Sequence, residues 1–153
     1  KDENKRAPMY WSKDGNAEGM CKGPADMDDF RMKFDSLEEQ QEDPDSIYNY
    51  VKQVIRVRNQ NPVIARGTTA YLEQYSGEQC FALTRSYEGS NLLLLGNTSA
   101  EAVSVDLTGL TVGGTTAEEL VLLGELYTGE ETAERAGTVV TLPAYSILIL
   151  GEE

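Results

Sequence analysis

The spacing of apolar positions changes twice along this chain. Between Asp43 and Asn61 the residues Ile47, Tyr48, Val51, Val54 and Ile55 recur three and four positions apart, the signature of an amphipathic α-helix with one apolar stripe. Asp43 suits an N-cap, and Pro44 suits the first helical position, where its missing N–H costs nothing. Asp45 sits at the positive end of the helix dipole, and Arg56 and Arg58 sit near its negative end. Asn61-Pro62 ends the helix, because the residue before a proline avoids helical geometry.

After residue 67 the pattern becomes that of short strands. Tyr71 to Tyr75 and Cys80 to Tyr87 read as a hairpin, followed by a turn at Glu88-Gly89-Ser90-Asn91. Leu92-Leu93-Leu94-Leu95 is apolar on both sides, as a central strand is. Val103, Val105 and Leu107 alternate with Ser104 and Asp106, the pattern of a half-buried strand. Further runs follow at Leu120–Leu123, Thr138–Leu142 and Ser146–Leu150. Seven or eight short strands with Gly-rich turns and no helix between them predict a mainly β fold, an antiparallel, Greek-key-like sandwich. Before the helix no apolar face repeats. Met9, Tyr10, Trp11, Met20, Met27, Phe30 and Phe34 are scattered among Lys, Asp, Gly and Pro, which predicts an irregular segment resting on something larger.

Charge sharpens this division. The 153 residues carry 13 basic and 26 acidic side chains, a net charge of −13, and no histidine. Residues 1–46 are net −6, residues 47–66 net +4 and residues 67–153 net −11. The four cations of the middle segment read as a solvated face that complements the dipole. So acidic a surface repels phosphate backbones and anionic lipid, so neither nucleic acid nor a membrane is an expected partner. Without an imidazole there is no Ser-His-Asp or Cys-His site and no His-ligated zinc, so any chemistry falls to carboxylates. Cys21 and Cys80 lack the spacing of a redox or zinc motif and read as unpaired thiols, Cys80 as a small core residue. Asp26, Asp28 and Asp29 lack the pattern of a calcium loop, and no metal ligand set is expected. Asn97-Thr98-Ser99 has the form of a glycosylation acceptor and reads as a turn.

Several stretches resemble one enzyme family. Arg6-Ala7-Pro8-Met9-Tyr10-Trp11 is similar to the R-T-P-M-Q-W signature of α-amylases and α-glucosidases of glycoside hydrolase family 13, with Tyr10 where Gln is usual. That departure favours an α-amylase-like branch. Asp43-Pro44-Asp45-Ser46 through Ile55-Arg56-Val57-Arg58 to Asn61-Pro62-Val63-Ile64 resembles the family's eighth barrel helix. Phe81 to Arg85, Leu92 to Ser99, and Leu142-Pro143-Ala144-Tyr145-Ser146 resemble its C-terminal β-domain. The resemblance implies that residues 1–66 are the end of a (β/α)8 barrel, its last loop and helix, and that residues 67–153 are the C-terminal sandwich.

In the family the catalytic carboxylates lie on barrel strands that would precede Lys1. The resemblance therefore implies a non-catalytic C-terminal portion of a starch- or malto-oligosaccharide-degrading enzyme, which supports the catalytic barrel of the same chain. No catalytic residue and no cofactor are expected here; calcium would belong to the parent enzyme. Arg6 and Trp11 are the residues to tie to an α-glucan, since an indole stacks on a sugar ring and a guanidinium bonds hydroxyls. Both could instead hold the loop by packing and an ion pair. The compartment depends on the parent; a secreted bacterial amylase would place it outside the cell or at the envelope. The exposed helix stripe would also allow the isolated piece to form a homodimer. Two other readings stay open. One is a carbohydrate-binding sandwich, with Tyr71, Tyr75, Tyr87, Tyr127 and Tyr145 as a platform. The other is a freestanding enzyme working with a carboxylate pair, among which no pair stands out by sequence.

Overall fold

In the computed structural model, residues 1–14, 18–29 and 32–152 are described, and they fall into two compact units, Lys1–Val51 and Lys52–Glu153. Phe30 lies outside the described residues.

The first unit is largely irregular, as its unpatterned sequence predicts, with a 3-10 turn at Glu3–Arg6 and a short helix α1 at Leu37–Glu42. Sequence pattern misses α1 because its six residues carry no apolar stripe. A capping box starts it instead: Glu39 N–H donates to Ser36 Oγ at 3.3 Å, and Ser36 N–H donates to Glu39 Oε2 at 3.0 Å. These bonds from Ser36 hold the Glu39 carboxyl below the ordinary carboxylate range, with Lys13 at 3.4 Å adding to the effect.

Helix α2 spans Ile47–Gln60. Its cap is Ser46 rather than Asp43. Ser46 Oγ accepts the Asn49 N–H at 3.2 Å, while Asp43 ends α1 and its Oδ1 accepts the Asp45 N–H at 3.0 Å. Asp43-Pro44-Asp45 therefore turns the chain between two helices. At the other end Asn61 leaves helical geometry (φ −121°, ψ 85°) and Pro62 opens a third helix, α3, at Pro62–Arg66. The proline thus stops one helix and starts the next, so the described residues hold three α-helices where the sequence predicts one.

Ten short strands follow: β1 Thr68–Tyr71, β2 Cys80–Tyr87, β3 Ser90–Asn97, β4 Val103–Asp106, β5 Thr111–Val112, β6 Thr115–Thr116, β7 Val121–Leu126, β8 Glu134–Ala136, β9 Val139–Leu142 and β10 Ile147–Gly151. The sheet order is β1-β2-β3-β10-β7, β4-β9-β8 and β5-β6, with every pairing antiparallel. The last strand crosses back between β3 and β7. The extra strands relative to the sequence pattern are two- and three-residue pairings without an alternating signature. The first strand also lies earlier than expected, because Leu72 and Tyr75 leave the sheet and pack on the core through a 3-10 turn at Glu73–Tyr75.

This second unit is mainly β and antiparallel, as expected. Ala82, Leu93, Leu95, Leu148 and Leu150 of the larger sheet meet Val105, Val140 and Leu142 of the smaller one, with Leu107, Leu110 and Leu120 closing the core. Leu92 and Ile149 alternate with those residues and are buried on the opposite face. There the C-terminal half of α2 is seated. A Cβ built on Gly124 would lie 3.0 Å from Val57 Cγ1 and 3.5 Å from Ile149 Cδ1, and Gln53 Nε2 donates to the Glu125 carbonyl at 3.1 Å. The large sheet is thus covered on both faces, which is why Leu92–Leu95 is apolar throughout.

The predicted stripe of α2 is only partly covered: Tyr48 and Val54 are half-buried. Val57 is buried, whereas Ile47, Val51 and Ile55 are 76%, 45% and 51% exposed. Val57, three positions after Val54, widens the apolar arc on the side that meets the sheet.

Candidate functional site

Unit Lys1–Val51 contains the two residues that sequence tied to substrate. The Tyr10 and Trp11 carbonyls accept the Leu37 and Glu38 N–H groups at 2.9 and 3.0 Å, so this backbone holds the start of α1. Tyr10 is fixed further by an edge-on contact with Phe34, ring centroids 6.5 Å apart, and by its hydroxyl on the Lys13 carbonyl at 3.0 Å. The Trp11 indole is left 47% exposed and lines an open pocket with Glu18, Gly19 and Met20. Arg6 is drawn into a local ion pair with Asp2 at 3.1 Å, with Glu3 at 3.8 Å. Its side chain is 61% exposed and does not line the Trp11 pocket. Nothing among the described residues joins Arg6 to Trp11.

Several described acidic residues are bonded to local partners. Asp28 is bonded by Lys1 and by Asn4 Nδ2 at 2.9 Å, which lowers its carboxyl below the usual range, and the described residues contain no cluster of three metal ligands. Glu119 and Asp106 are lowered as well, Glu119 by the Thr116 hydroxyl and N–H, Asp106 by those of Thr108 and the Thr138 hydroxyl. A glycosidase's general acid needs the opposite shift, a carboxyl raised by burial. Cys21 and Cys80 are both free thiols, and Cys80 packs at the edge of the core. Among the described residues no helix is long and apolar enough to cross a membrane.

The five strand-region tyrosines are put to different uses. Tyr75 reaches the Thr108 carbonyl at 3.2 Å, and Tyr127 donates to Glu125 Oε2 at 2.6 Å while accepting the Ala133 N–H at 3.0 Å. Tyr71 and Tyr145 are exposed, and Tyr87 lines a separate cleft. Both arginines of residues 67–153 are spent on backbone. Arg85 donates to the Val63 and Ile64 carbonyls at 3.4 and 2.7 Å, closing α3. Arg135 donates to the Leu120 carbonyl at 2.6 Å and also to that of Ala117. The surface of the sandwich is therefore left strongly anionic.

Sequence reasoning took Asn97 for a turn residue. It is that and more. Asn97 is 3% exposed, and its Nδ2 donates to the Glu101, Leu142 and Pro143 carbonyls at 2.7, 3.2 and 2.8 Å. Its Oδ1 accepts the Ser99 N–H and hydroxyl at 2.9 and 2.8 Å. An amide so enclosed is a structural tie and offers no attachment point for a glycan.

No protein-family model matches the chain. Among solved structures it is similar to Eubacterium rectale Amy13B, at 39% identity over 99% of this chain and 28% of that one, TM-score 0.88. The chain corresponds to the C-terminal region of a glycoside hydrolase family 13 enzyme. An α-amylase from H. orenii, 21% identical over 95% of this chain and 28% of its own, TM-score 0.67, has the same fold. So does the trehalulose synthase MutB, 23% identical over 94% of this chain and 24% of its own, TM-score 0.68. The chain spans about a quarter of the length of these family 13 chains.

Proposed function

We propose that this chain is the non-catalytic C-terminal portion of an α-amylase-like enzyme acting on starch or malto-oligosaccharides, and that it supports the catalytic barrel. The observation that carries the reading is helix α2. Its inner face, through Val57, is already covered by the sandwich, while Ile47, Val51 and Ile55 remain exposed. A helix whose apolar arc is wider than the sheet that covers it needs a second layer over the remainder. The second layer is the barrel of the same chain, and residues 1–66 complete that barrel. The 39% identity to Amy13B supports the same assignment.

In this reading Trp11 stacks on a glucose ring at the barrel's substrate face, where the loops after the strands gather, and Arg6, outside the Trp11 pocket, bonds sugar hydroxyls at a separate point. Two measurements test it. Released reducing ends from soluble starch should stay at background with the 153-residue chain alone. The coding sequence upstream of Lys1 should continue in frame into a barrel carrying the family's carboxylates. Turnover by the chain alone, or a stop codon directly upstream, would refute the proposal.

A further inference from the structure

We propose a glycan-binding cleft in unit Lys52–Glu153, distinct from Arg6 and Trp11, that takes the end of a neutral α-glucan. The cleft has a volume of about 460 Å³, within the range of about 300–1,000 Å³ common for small-molecule sites. It is formed where the α2–α3 junction, the β2–β3 turn and the end of β10 converge, and Gln60, Pro62, Tyr87, Asn91, Leu123 and Glu152 line it.

The lining combines the two kinds of surface that a pyranose presents. Pro62, Leu123 and the Tyr87 ring offer apolar area for the C–H face of a sugar. Leu123 is placed by a bulge: β10 pairs Ile149 with Gly124 and Leu150 with Leu122, which leaves Leu123 without a partner in the ladder. The amide and carboxylate groups serve hydroxyls, and two of them are held rigid beforehand. Asn91 Oδ1 accepts from Ser86 Oγ at 2.7 Å and its Nδ2 donates to the Gly89 carbonyl at 3.1 Å, leaving one N–H for a ligand. Glu152 Oε1 accepts from Thr115 Oγ1 at 3.1 Å, leaving Oε2. Such pre-set partners lower the entropy lost on binding.

Charge selects among ligands. No lysine or arginine lines the cleft, and Arg85 of β2, which reaches α3, is committed to the Val63 and Ile64 carbonyls. An anion would meet Glu152 with no compensating charge. A neutral polyhydroxyl compound meets both donors and acceptors. The choice of α-glucan among such compounds rests on the proposed function.

The test is an amide NMR titration of the 153-residue chain with maltotriose and, separately, cellotriose at millimolar concentration. Maltotriose should shift the amides of Tyr87, Ser90, Asn91 and Leu123 and leave those around Trp11 and Tyr145 in place. Tyr87→Ala should weaken binding about tenfold through the lost stacking surface, and Tyr145→Ala should not change it. Gln60→Ala, an exposed change that leaves the sheet intact, should also weaken binding and serves if Tyr87→Ala does not fold. No shifts with either sugar, or shifts elsewhere, overturn the cleft while leaving the upstream-sequence test of the parent enzyme untouched. Shifts in the cleft with cellotriose alone overturn the α-glucan assignment.

Discussion

Replacing Asn97 by alanine removes the carboxamide that ties the end of β3 to the β9–β10 corner, 45 and 46 positions further on. The Nδ2 bonds to the Leu142 and Pro143 carbonyls are buried, and the bond to Glu101 is partly so. A neutral hydrogen bond contributes about 1 kcal/mol net, and a buried polar group stripped of its partner costs about 1–3 kcal/mol. With the buried Leu142 carbonyl losing this donor, the Pro143 carbonyl left with Ser146 Oγ alone, and the Ser99 N–H losing its acceptor, Asn97→Ala is expected to cost about 3 kcal/mol. For a unit of this size that lowers Tm by roughly 15 °C. Circular dichroism melts, with urea titrations followed by tyrosine fluorescence, read the loss directly. Ser99→Ala is the control, since it removes only hydroxyl bonds at a half-buried position and should cost about 1 kcal/mol. Asn97→Asp should be at least as damaging as alanine, because a carboxylate would face three carbonyl oxygens. If Asn97→Ala costs no more than Ser99→Ala, the carboxamide is not the tie described above.

Arg135→Met should destabilise the sandwich by about 2 kcal/mol, as measured by urea midpoint, because the Leu120 and Ala117 carbonyls lose a charged donor; Arg135→Lys should rescue little, lacking the forked geometry. Burial, followed by the Glu125 bond, pushes the Tyr127 phenol up to about 12 from 10.0. Its contribution is therefore complete below pH about 10 and lost as pH rises through about 12, so Tm should fall over that window in the native chain and fall less in Tyr127→Phe. Ile47, Val51 and Ile55, left exposed, should drive self-association of the chain alone; light scattering should show a concentration-dependent dimer that Val51→Glu with Ile55→Glu converts to monomer.

Much of the fold is legible because its signals are local. The Leu92–Leu95 run marks a strand buried on both faces, and Val103, Val105 and Leu107 mark a strand with one wet face. The Asn61-Pro62 pair marks a helix boundary, since the proline ring constrains only its immediate neighbours. Signals fail where two local readings compete. Asp43 and Ser46 are both acceptable caps, and the choice of Ser46 depends on Asp43 already serving as the end of α1.

The candidate sites were less legible. Trp11 is exposed and Arg6 is engaged by Asp2, but no spacing rule says which side chain a neighbouring carboxylate will claim. The cleft at Tyr87, Asn91 and Glu152 draws on residues as far apart in sequence as Gln60 and Glu152, and a β-bulge at Leu123 helps to shape it. Bulges leave no period in the sequence to read.

The missing histidines and the charge of −13 narrow the chemistry before any folding is considered, because side-chain type alone sets protonation and charge sign. Periodicity then assigns the helix and most strands, since each depends on residues within a turn or a pleat of one another. The helix face that meets the sheet, the amide that locks the corner and the groups that share a cleft follow from packing between segments tens of residues apart. Those contacts form only when the strands have found their order, with β10 inserted between β3 and β7.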